Sequence, residues 1–199
     1  MIADAALRFT FYDCLALFCL TLSLCLRGND AAESSIGCIF VALFSATTWA
    51  IVRELVLGGS ARLILQSDWH LIAMLSGTCV GAVLCWLRKA DGVSQKIEVV
   101  TCGLLCCFGF LCALPHLGVW GALFFTFNLT ICPSFLCDVA LGDIARFVHD
   151  SGLMLRAMVG ACVCCAVYFL SPYFFSAFSD LLALGAGVFV TCFLQYLRA

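Results

Sequence analysis

Seven long apolar runs dominate the chain, and short polar or breaker-rich stretches separate them. A membrane-spanning helix needs roughly 20 mostly apolar residues, and each run reaches or approaches that length. Gly, Pro and charged residues mark the ends of the runs, where helices commonly stop. The pattern predicts an all-α integral membrane protein with seven transmembrane helices, at about residues 9–26, 36–57, 69–87, 97–114, 119–141, 153–170 and 177–197.

The end of the second run has a counterpart 84 positions later, in the fifth run. The segment from Glu54 to Gly58 and the segment from Asp138 to Gly142 both begin with an acid and end in Leu-Gly. Polar residues interrupt both runs, a pattern typical of transporters built from inverted repeats. We therefore expect one transmembrane domain over residues 1–199, with two inverted three-helix repeats at about 8–90 and 96–172 and a seventh helix at about 177–197.

The composition agrees with a membrane location. Hydrophobic residues make up 64% of the chain and charged residues 11%, and the mean hydropathy is +1.13. A soluble domain could not cover its surface with so few polar residues. With a net charge of -2 and no basic run, the expected surrounding is the lipid bilayer and no nucleic acid. No enzyme signature is present, and we predict neither an enzyme nor a cofactor.

Sixteen cysteines raise the question of disulfides or a metal site. Most lie inside apolar runs, where a thiol behaves as a small, weakly polar hydrophobic group. The adjacent pair Cys106-Cys107 lacks the C-x-x-C spacing of zinc and redox sites. We interpret the cysteines as structural thiols and predict no bound metal.

Basic residues are distributed unequally between the two sides of the predicted bundle. Because Lys and Arg collect on the cytoplasmic side, we expect an outside N-terminus and a cytoplasmic C-terminus. The membrane would be a bacterial-type cytoplasmic (inner) membrane, although an organelle membrane gives the same bias. The predicted cytoplasmic side carries Arg27, Arg88, Lys89, Lys96, Arg146, Arg156 and Arg198, and the other side carries Arg8, Arg53 and Arg62.

Charged residues inside the apolar runs are candidates for an ion or substrate path. Arg53 and Glu54 are adjacent in the second run, and we expect them to point about 100° apart rather than to face each other. Asp13 and Asp138 are candidate partners for Arg53. The alternatives are that Arg53 snorkels to the headgroups, and that Asp13 only complements the dipole of the first helix.

Two places could interrupt the helices and expose backbone carbonyls to a cation. They are the pair Thr47-Thr48 and the stretch around Pro133, which removes a backbone donor. Carbonyl oxygens that line a cavity can replace an ion's hydration shell. In the alternative interpretation the hydroxyl groups bond back to their own helix and Pro133 only kinks it. The candidates are Thr47, Thr48, Asn128, Cys132, Pro133 and Ser134.

Small residues four apart predict close helix packing in the third and sixth runs. Gly77 and Gly81 form a GxxxG motif, and Gly160 begins a small-residue stretch in the sixth run. Such spacing lets two helices approach closely in lipid. The alternative is a contact between subunits.

These features together resemble the trimeric intracellular cation (TRIC) channels, in particular their small prokaryotic, glycine-transporter-like relatives. The family carries a Gly-Gly-Gly-x-x-Arg-Asp motif, followed by Leu and Gly, in its second and fifth spans. Arg53-Glu54 and Asp138 match the ends of that motif, and Asp13 falls where the family has an early acid. The chain departs from the family where Thr48-Trp49-Ala50 and Cys132-Pro133-Ser134 replace the glycines and Cys137 replaces the second arginine.

The resemblance implies a homotrimer with one pore in each subunit for K+ and other monovalent cations. Spans two and five would line the pore, Arg53 would lie near its constriction, and Glu54 and Asp138 would tune its field. Two alternatives remain: a secondary carrier for a small neutral amino acid such as glycine, and a non-conducting protein that kept only the fold.

Overall fold

The computed structural model describes residues 2–31, 35–59, 67–87, 93–142, 151–170 and 179–196. Within these ranges the chain is all-helical, with six helices and no strand, which confirms the predicted fold class. Arg62, Arg88, Lys89, Arg146 and Arg198, which enter the orientation argument, lie outside the described residues. The helices are α1 (Ile2–Ala31), α2 (Ser35–Val56), α3 (Asp68–Trp86), α4 (Val93–Leu141), α5 (Ser151–Leu170) and α6 (Ser179–Tyr196).

The fourth and fifth predicted spans follow each other within α4 as two helical stretches joined at a kink, so the count of seven separate spans is not confirmed. This element contains 49 residues and one non-helical residue, Gly118, with φ 67° and ψ 179°. A straight helix of that length would extend about 74 Å, more than twice the ~30 Å hydrocarbon core of a bilayer. The predicted boundary lay at Pro115, but the chain stays helical there and turns at Gly118, which has no Cβ to oppose a positive φ.

Four of the described helices are long and apolar enough to cross a membrane. These segments are Thr10–Arg27, Ile36–Val56, Asp68–Trp86 and Lys96–Leu141. Shorter apolar segments occupy Met158–Leu170 in α5 and Leu181–Leu194 in α6. The chain is therefore a multi-pass membrane protein.

Two compact units divide the chain, and the first contains Met1–Glu98 and Pro133–Ile144. In this unit α1 packs against α2 and α3, and α2 also packs against α3. Gly77 and Gly81 of α3 face α1 so closely that an added Cβ would collide with Phe18 or Thr21 at the first glycine and with Cys25 at the second. The two glycines thus set the distance between α1 and α3.

The second unit contains Val99–Cys132 and Ala145–Ala199, and α5 packs against α6 within it. A Cβ on Gly160 would lie 2.9 Å from the carbonyl oxygen of Gly187, so backbones meet at this crossing. Cys102, Cys106 and Ala161 form a buried core, with Leu123 packed against it. Cys106 Sγ also lies 3.2 Å from the Thr130 hydroxyl. These thiols occupy core positions, as small apolar residues do.

Packing inside the two units follows the same 84-residue offset as the sequence. In the first unit, Gly77 of α3 meets Phe18 of α1. In the second, Ala161 of α5 packs with Cys102 of α4, and both residues lie 84 positions after their counterparts. The offset thus extends to the first and fourth predicted spans. This supports the internal repeat, while the inversion of one half relative to the other stays a prediction.

Candidate functional site

A buried stripe runs along one face of α2 and ends at Arg53. Ser45, Trp49 and Arg53 are spaced four residues apart, and their exposed fractions are 0%, 0% and 2%. The Trp49 ring lies 4.9 Å from the guanidinium carbon of Arg53, a cation–π contact. The Ser45 hydroxyl and the Trp49 indole nitrogen are buried and have no hydrogen-bond partner among the described residues. The buried face of α2 therefore carries a polar side chain on each side of Trp49, Ser45 on one side and Arg53 on the other.

Arg53 forms a bidentate ion pair with Asp13 of α1. Its Nη1 contacts Asp13 Oδ1, and its Nη2 donates to Asp13 Oδ2 at 2.7 Å. Both residues are buried, so Arg53 is held inside the chain, whereas the snorkelling alternative places it at the headgroups. Of the two acids predicted as partners of Arg53, Asp13 is therefore the one that forms this bidentate ion pair. Parallel N–H···O bonds of this kind fix both distance and orientation.

Glu54 also contacts Arg53, with Oε1 at 2.9 Å from Arg53 Nη2. The expectation that these neighbours could not meet was wrong. Both side chains are long, and they meet in the last turn of α2, where the stems can bend towards each other although the Cβ atoms point apart. Arg53 thus bridges two carboxylates, one from α1 and one from its own helix.

His70 of α3 completes this cluster. Its Nε2 lies 2.9 Å from Asp13 Oδ2, and its Nδ1 lies 2.5 Å from the Ser67 hydroxyl. Because a carboxylate only accepts hydrogen bonds, Nε2 carries the proton in this contact. Three helices therefore meet at Asp13. We call the four side chains that meet there the Asp13 cluster; they are Asp13, Arg53, Glu54 and His70.

A second buried ionic cluster involves Arg27, near the other end of α1. Arg27 Nη2 lies 2.7 Å from Asp138 Oδ1, and Nη1 lies 3.0 Å from Glu98 Oε1. Arg27 is 5% exposed and Asp138 is 1% exposed. Asp138, predicted as a partner of Arg53, thus forms its ion pair with Arg27. From the sequence, Arg27 contributed only to the number of basic residues that predicted the cytoplasmic side of the bundle.

The predicted helix interruptions are absent from the described parts of α2 and α4. Both helices continue through Thr47-Thr48 and through Cys132-Pro133-Ser134. Thr48 donates to the Phe44 carbonyl at 2.8 Å, while the Thr47 hydroxyl lies 3.8 Å from Met74 Sδ. Back-bonding of this kind satisfies the hydroxyl without unwinding the helix.

The remaining candidates on α4 divide between the two units. In the second unit Asn128 is exposed and donates to the Phe124 carbonyl at 2.8 Å, and Cys132 is half-buried. In the first unit Pro133 is fully buried and Ser134 is half-buried. Among the residues that the structure describes, no group of three His, Cys, Asp or Glu side chains is arranged so that it could hold a metal ion.

No protein-family model and no curated protein matches the sequence. Among solved structures, the chain is similar to one described as the crystal structure of a prokaryotic TRIC channel in 0.5 M KCl. The TM-score is 0.76 with 12% sequence identity, and the match covers 98% of this chain and 99% of that one. The chain is therefore a polytopic, all-helical membrane protein. Its fold is that of a prokaryotic TRIC channel, as the resemblance in the sequence implied.

Proposed function

We propose that the chain is a passive channel for monovalent cations, with K+ as the principal ion. The observation that carries this proposal is the Asp13 cluster, because its Arg53 is 2% exposed and lies within an apolar span. Charges inside membrane spans are costly and usually mark a conduction or transport path. The fold, shared with a structure described as a TRIC channel, supports the same class of function.

The path that we propose runs along α2 and the end of α4, from Pro133 to Leu141, both of which belong to the first unit. Arg53 would be its gate, because the ion pairs to Asp13 and Glu54 hold the guanidinium in place and offset its charge. Thr47, Ser134 and Asp138 would contribute polar groups along the path. Continuous helices and the buried Trp49 ring are consistent with a closed conformation.

A second candidate is a protein that kept the fold and lost conduction. The observation that favours it is Trp49, whose fully buried ring stands where the family motif has glycine. The glycine-carrier alternative has less support. It needs a broken helix and an arginine that can bind a substrate carboxylate, whereas α2 is continuous and Arg53 already forms a bidentate pair with Asp13.

For the assembly, we propose a homotrimer with seven spans in two inverted repeats. It would lie in the cytoplasmic membrane with the N-terminus outside and the C-terminus in the cytoplasm. The proposal of a trimer rests on the resemblance to TRIC channels, and the proposed orientation rests on the distribution of Arg and Lys.

The test is uptake of 86Rb+, a tracer for K+, into K+-loaded vesicles that contain the purified protein. The informative variant is Asp13→Asn/Arg53→Gln, the neutral pair, because it removes both charges and leaves neither one buried alone. We expect its uptake to exceed that of the wild type by about tenfold, which corresponds to roughly 1.4 kcal/mol in a barrier. Thr191→Val, at a fully buried position of α6, is the matched control and should leave uptake unchanged.

The same vesicles separate the alternatives. Saturable glycine counterflow without 86Rb+ uptake would replace the channel by the carrier. If wild type and neutral pair both take up no more 86Rb+ or glycine than protein-free vesicles, the protein has kept the fold alone.

A further inference from the structure

His70 contributes the imidazole of the Asp13 cluster, and its two ring nitrogens have different roles there. Nε2 donates to Asp13 Oδ2 at 2.9 Å, and Nδ1 lies 2.5 Å from the Ser67 hydroxyl. In this neutral tautomer Nδ1 carries no proton, so the Ser67 hydroxyl donates to it. Imidazole is the side chain that ordinarily gains or loses a charge between pH 5 and 8. Nδ1 is therefore the atom of the cluster to which a proton can add in that range.

Ser67 allows Nδ1 to take up this proton without a movement of the ring. Ser67 is the N-cap residue of α3, but its side chain forms no capping hydrogen bond with the helix. Because a hydroxyl both donates and accepts, rotation of its O–H bond turns Ser67 from donor into acceptor. The protonated ring then donates from Nε2 to Asp13 and from Nδ1 to Ser67, so it keeps the contacts of the neutral ring.

A protonated His70 completes a row of alternating charges across three helices. Among the described residues, the charged groups that face it are Asp13 of α1 and, behind it, the Arg53–Glu54 pair of α2. Asp68 of its own helix is exposed. Because the imidazole contacts Asp13 directly and is joined to Arg53 only through that carboxylate, attraction exceeds repulsion. The hydrogen bond to Asp13 also becomes charge-assisted, which roughly doubles its strength.

Trp69, the neighbour of His70, indicates that this end of α3 lies near the membrane surface. Trp69 and Trp86 are 69% and 83% exposed and stand at the two ends of α3. Their separation of 17 residues corresponds to about 26 Å along a helix, close to the ~30 Å hydrocarbon core whose boundaries tryptophan favours. The His70 side chain is 12% exposed. Protons can therefore reach the ring from the side at which α3 begins, the outer side in the proposed orientation.

We infer that His70 is a proton-binding site of the cation path: its protonation from the outer side stabilises the closed conformation, and a neutral His70 lets the path open. This inference rests on the proposed channel function. The added positive charge beside the path disfavours a permeating cation. The stronger hydrogen bond between α3 and α1 also stabilises the arrangement in which Asp13 holds Arg53. Both effects have the same sign, so acid lowers the conduction of K+.

The test measures 86Rb+ uptake between pH 8 and pH 5, with the same pH inside and outside the vesicles. Wild-type uptake should fall at least about fivefold towards pH 5, the lower end of typical couplings between two sites. His70→Gln keeps an N–H group for Asp13 and an oxygen for Ser67 but stays neutral, so its uptake should vary less than about twofold. His70→Arg carries a fixed positive charge and should show low uptake throughout.

The double variant His116→Gln/His149→Gln, which removes the other two histidines of the chain, is the matched control and should keep the wild-type response to pH. Because His70 is then the only histidine, the 15N chemical shifts of its imidazole report protonation without any conduction. We expect a proton on Nε2 alone at pH 8 and on both nitrogens at pH 5. The change should occur over the same pH interval in which uptake falls.

The two measurements together decide the inference. If His70 stays neutral down to pH 5, the inference is refuted whatever the protein conducts. If His70 takes up the proton while wild-type uptake stays constant or rises, the inference is refuted and the channel stands. The same holds if folded His70→Gln responds to pH as the wild type does. Should His70→Gln not fold, agreement between the uptake profile and the imidazole signal supports the inference, and disagreement refutes it.

Failure of the proposed function gives a different result. If the neutral pair conducts but wild-type uptake stays at the level of protein-free vesicles at every pH, the inference is refuted, because no state of His70 opens the path. If the wild type and the neutral pair both fail to conduct at every pH, the channel itself is refuted and this inference falls with it.

Discussion

Gly58 and Gly142, 84 residues apart, end α2 and α4 in the same way. Their φ angles are 79° and 75°, and each donates its N–H to the carbonyl three residues earlier, Gly58 to Leu55 at 3.3 Å and Gly142 to Val139 at 3.2 Å. Glycine adopts this left-handed conformation without the steric cost that a Cβ imposes. The repeat thus extends from the acids at positions 54 and 138 to the backbone that closes each helix.

These glycines should respond equally to substitution. An added Cβ would meet no atom within 4 Å at either position, so the cost is one of backbone conformation alone. We expect Gly58→Ala and Gly142→Ala each to lower the free energy of unfolding by about 1 kcal/mol, measured by thermal unfolding in detergent. Gly118→Ala should cost more, because its φ 67° with ψ 179° lies in a region that only glycine adopts. If only one of the variants Gly58→Ala and Gly142→Ala lost stability, the two glycines would not end their helices in the same way.

Because α5 and α6 pack closely, alanine substitutions at two glycines of α6, Gly185 and Gly187, should have opposite effects on the stability of the protein. A Cβ on Gly187 would lie 2.8 Å from the Gly160 carbonyl oxygen and 3.0 Å from Cys164 Cβ, whereas a Cβ on Gly185 would meet nothing within 4 Å. Gly187→Ala should therefore destabilise the protein by about 1–3 kcal/mol. Gly185→Ala should be neutral or stabilise by up to about 1 kcal/mol. The unfolding temperatures of the two variants measure the difference, and equal values would contradict the packing.

The bidentate pair between Arg53 and Asp13 predicts strong coupling between their substitutions. Asp13→Leu or Arg53→Leu leaves a buried charge without its main partner, which costs about 3–5 kcal/mol. The double variant Asp13→Leu/Arg53→Leu removes both charges and should be less destabilised than the sum of the single variants. A double-mutant cycle on detergent unfolding midpoints measures this coupling, and strict additivity would show that the pair contributes no interaction energy.

Trp49 should affect both stability and conduction. Its ring is fully buried and covers the Arg53 guanidinium, so Trp49→Ala should destabilise the protein by about 3–5 kcal/mol through the space left behind. If the ring closes the proposed path, the same variant should raise 86Rb+ uptake in vesicles. Trp49→Phe, which keeps an aromatic ring, is the control and should stay close to the wild type. Unchanged uptake in a folded Trp49→Ala protein would remove Trp49 as the closing element.

Hydrophobic run length was sufficient to predict the helices, because a span of roughly 20 apolar residues in lipid has few alternatives to a helix. The partner of Arg53 was also within reach, since few acids lie inside the spans. Helix continuity at Thr47-Thr48 and Pro133 was missed. The same sequence allows a hydroxyl to bond back to its own helix or to line a break in that helix. The packing of neighbouring helices decides which of the two structures forms.

His70 and Arg27 were missed for a related reason. Both stand near the ends of apolar runs, where side chains commonly reach the membrane surface, and only tertiary packing brings them to Asp13 and Asp138. One signal for Arg27 existed in the sequence. The 84-residue offset places an acid at Asp138 but a cysteine at position 137, so an arginine partner for Asp138 had to be sought on another helix.

Arg27 and Asp138 lie far apart in the sequence, and their side chains nevertheless approach to 2.7 Å. A pattern that joins an arginine to an acid next to it in the chain cannot detect such a pair, because the two residues meet only after folding. Charged pairs of this kind are therefore found by comparing positions in space, and the order of residues within one span does not show them.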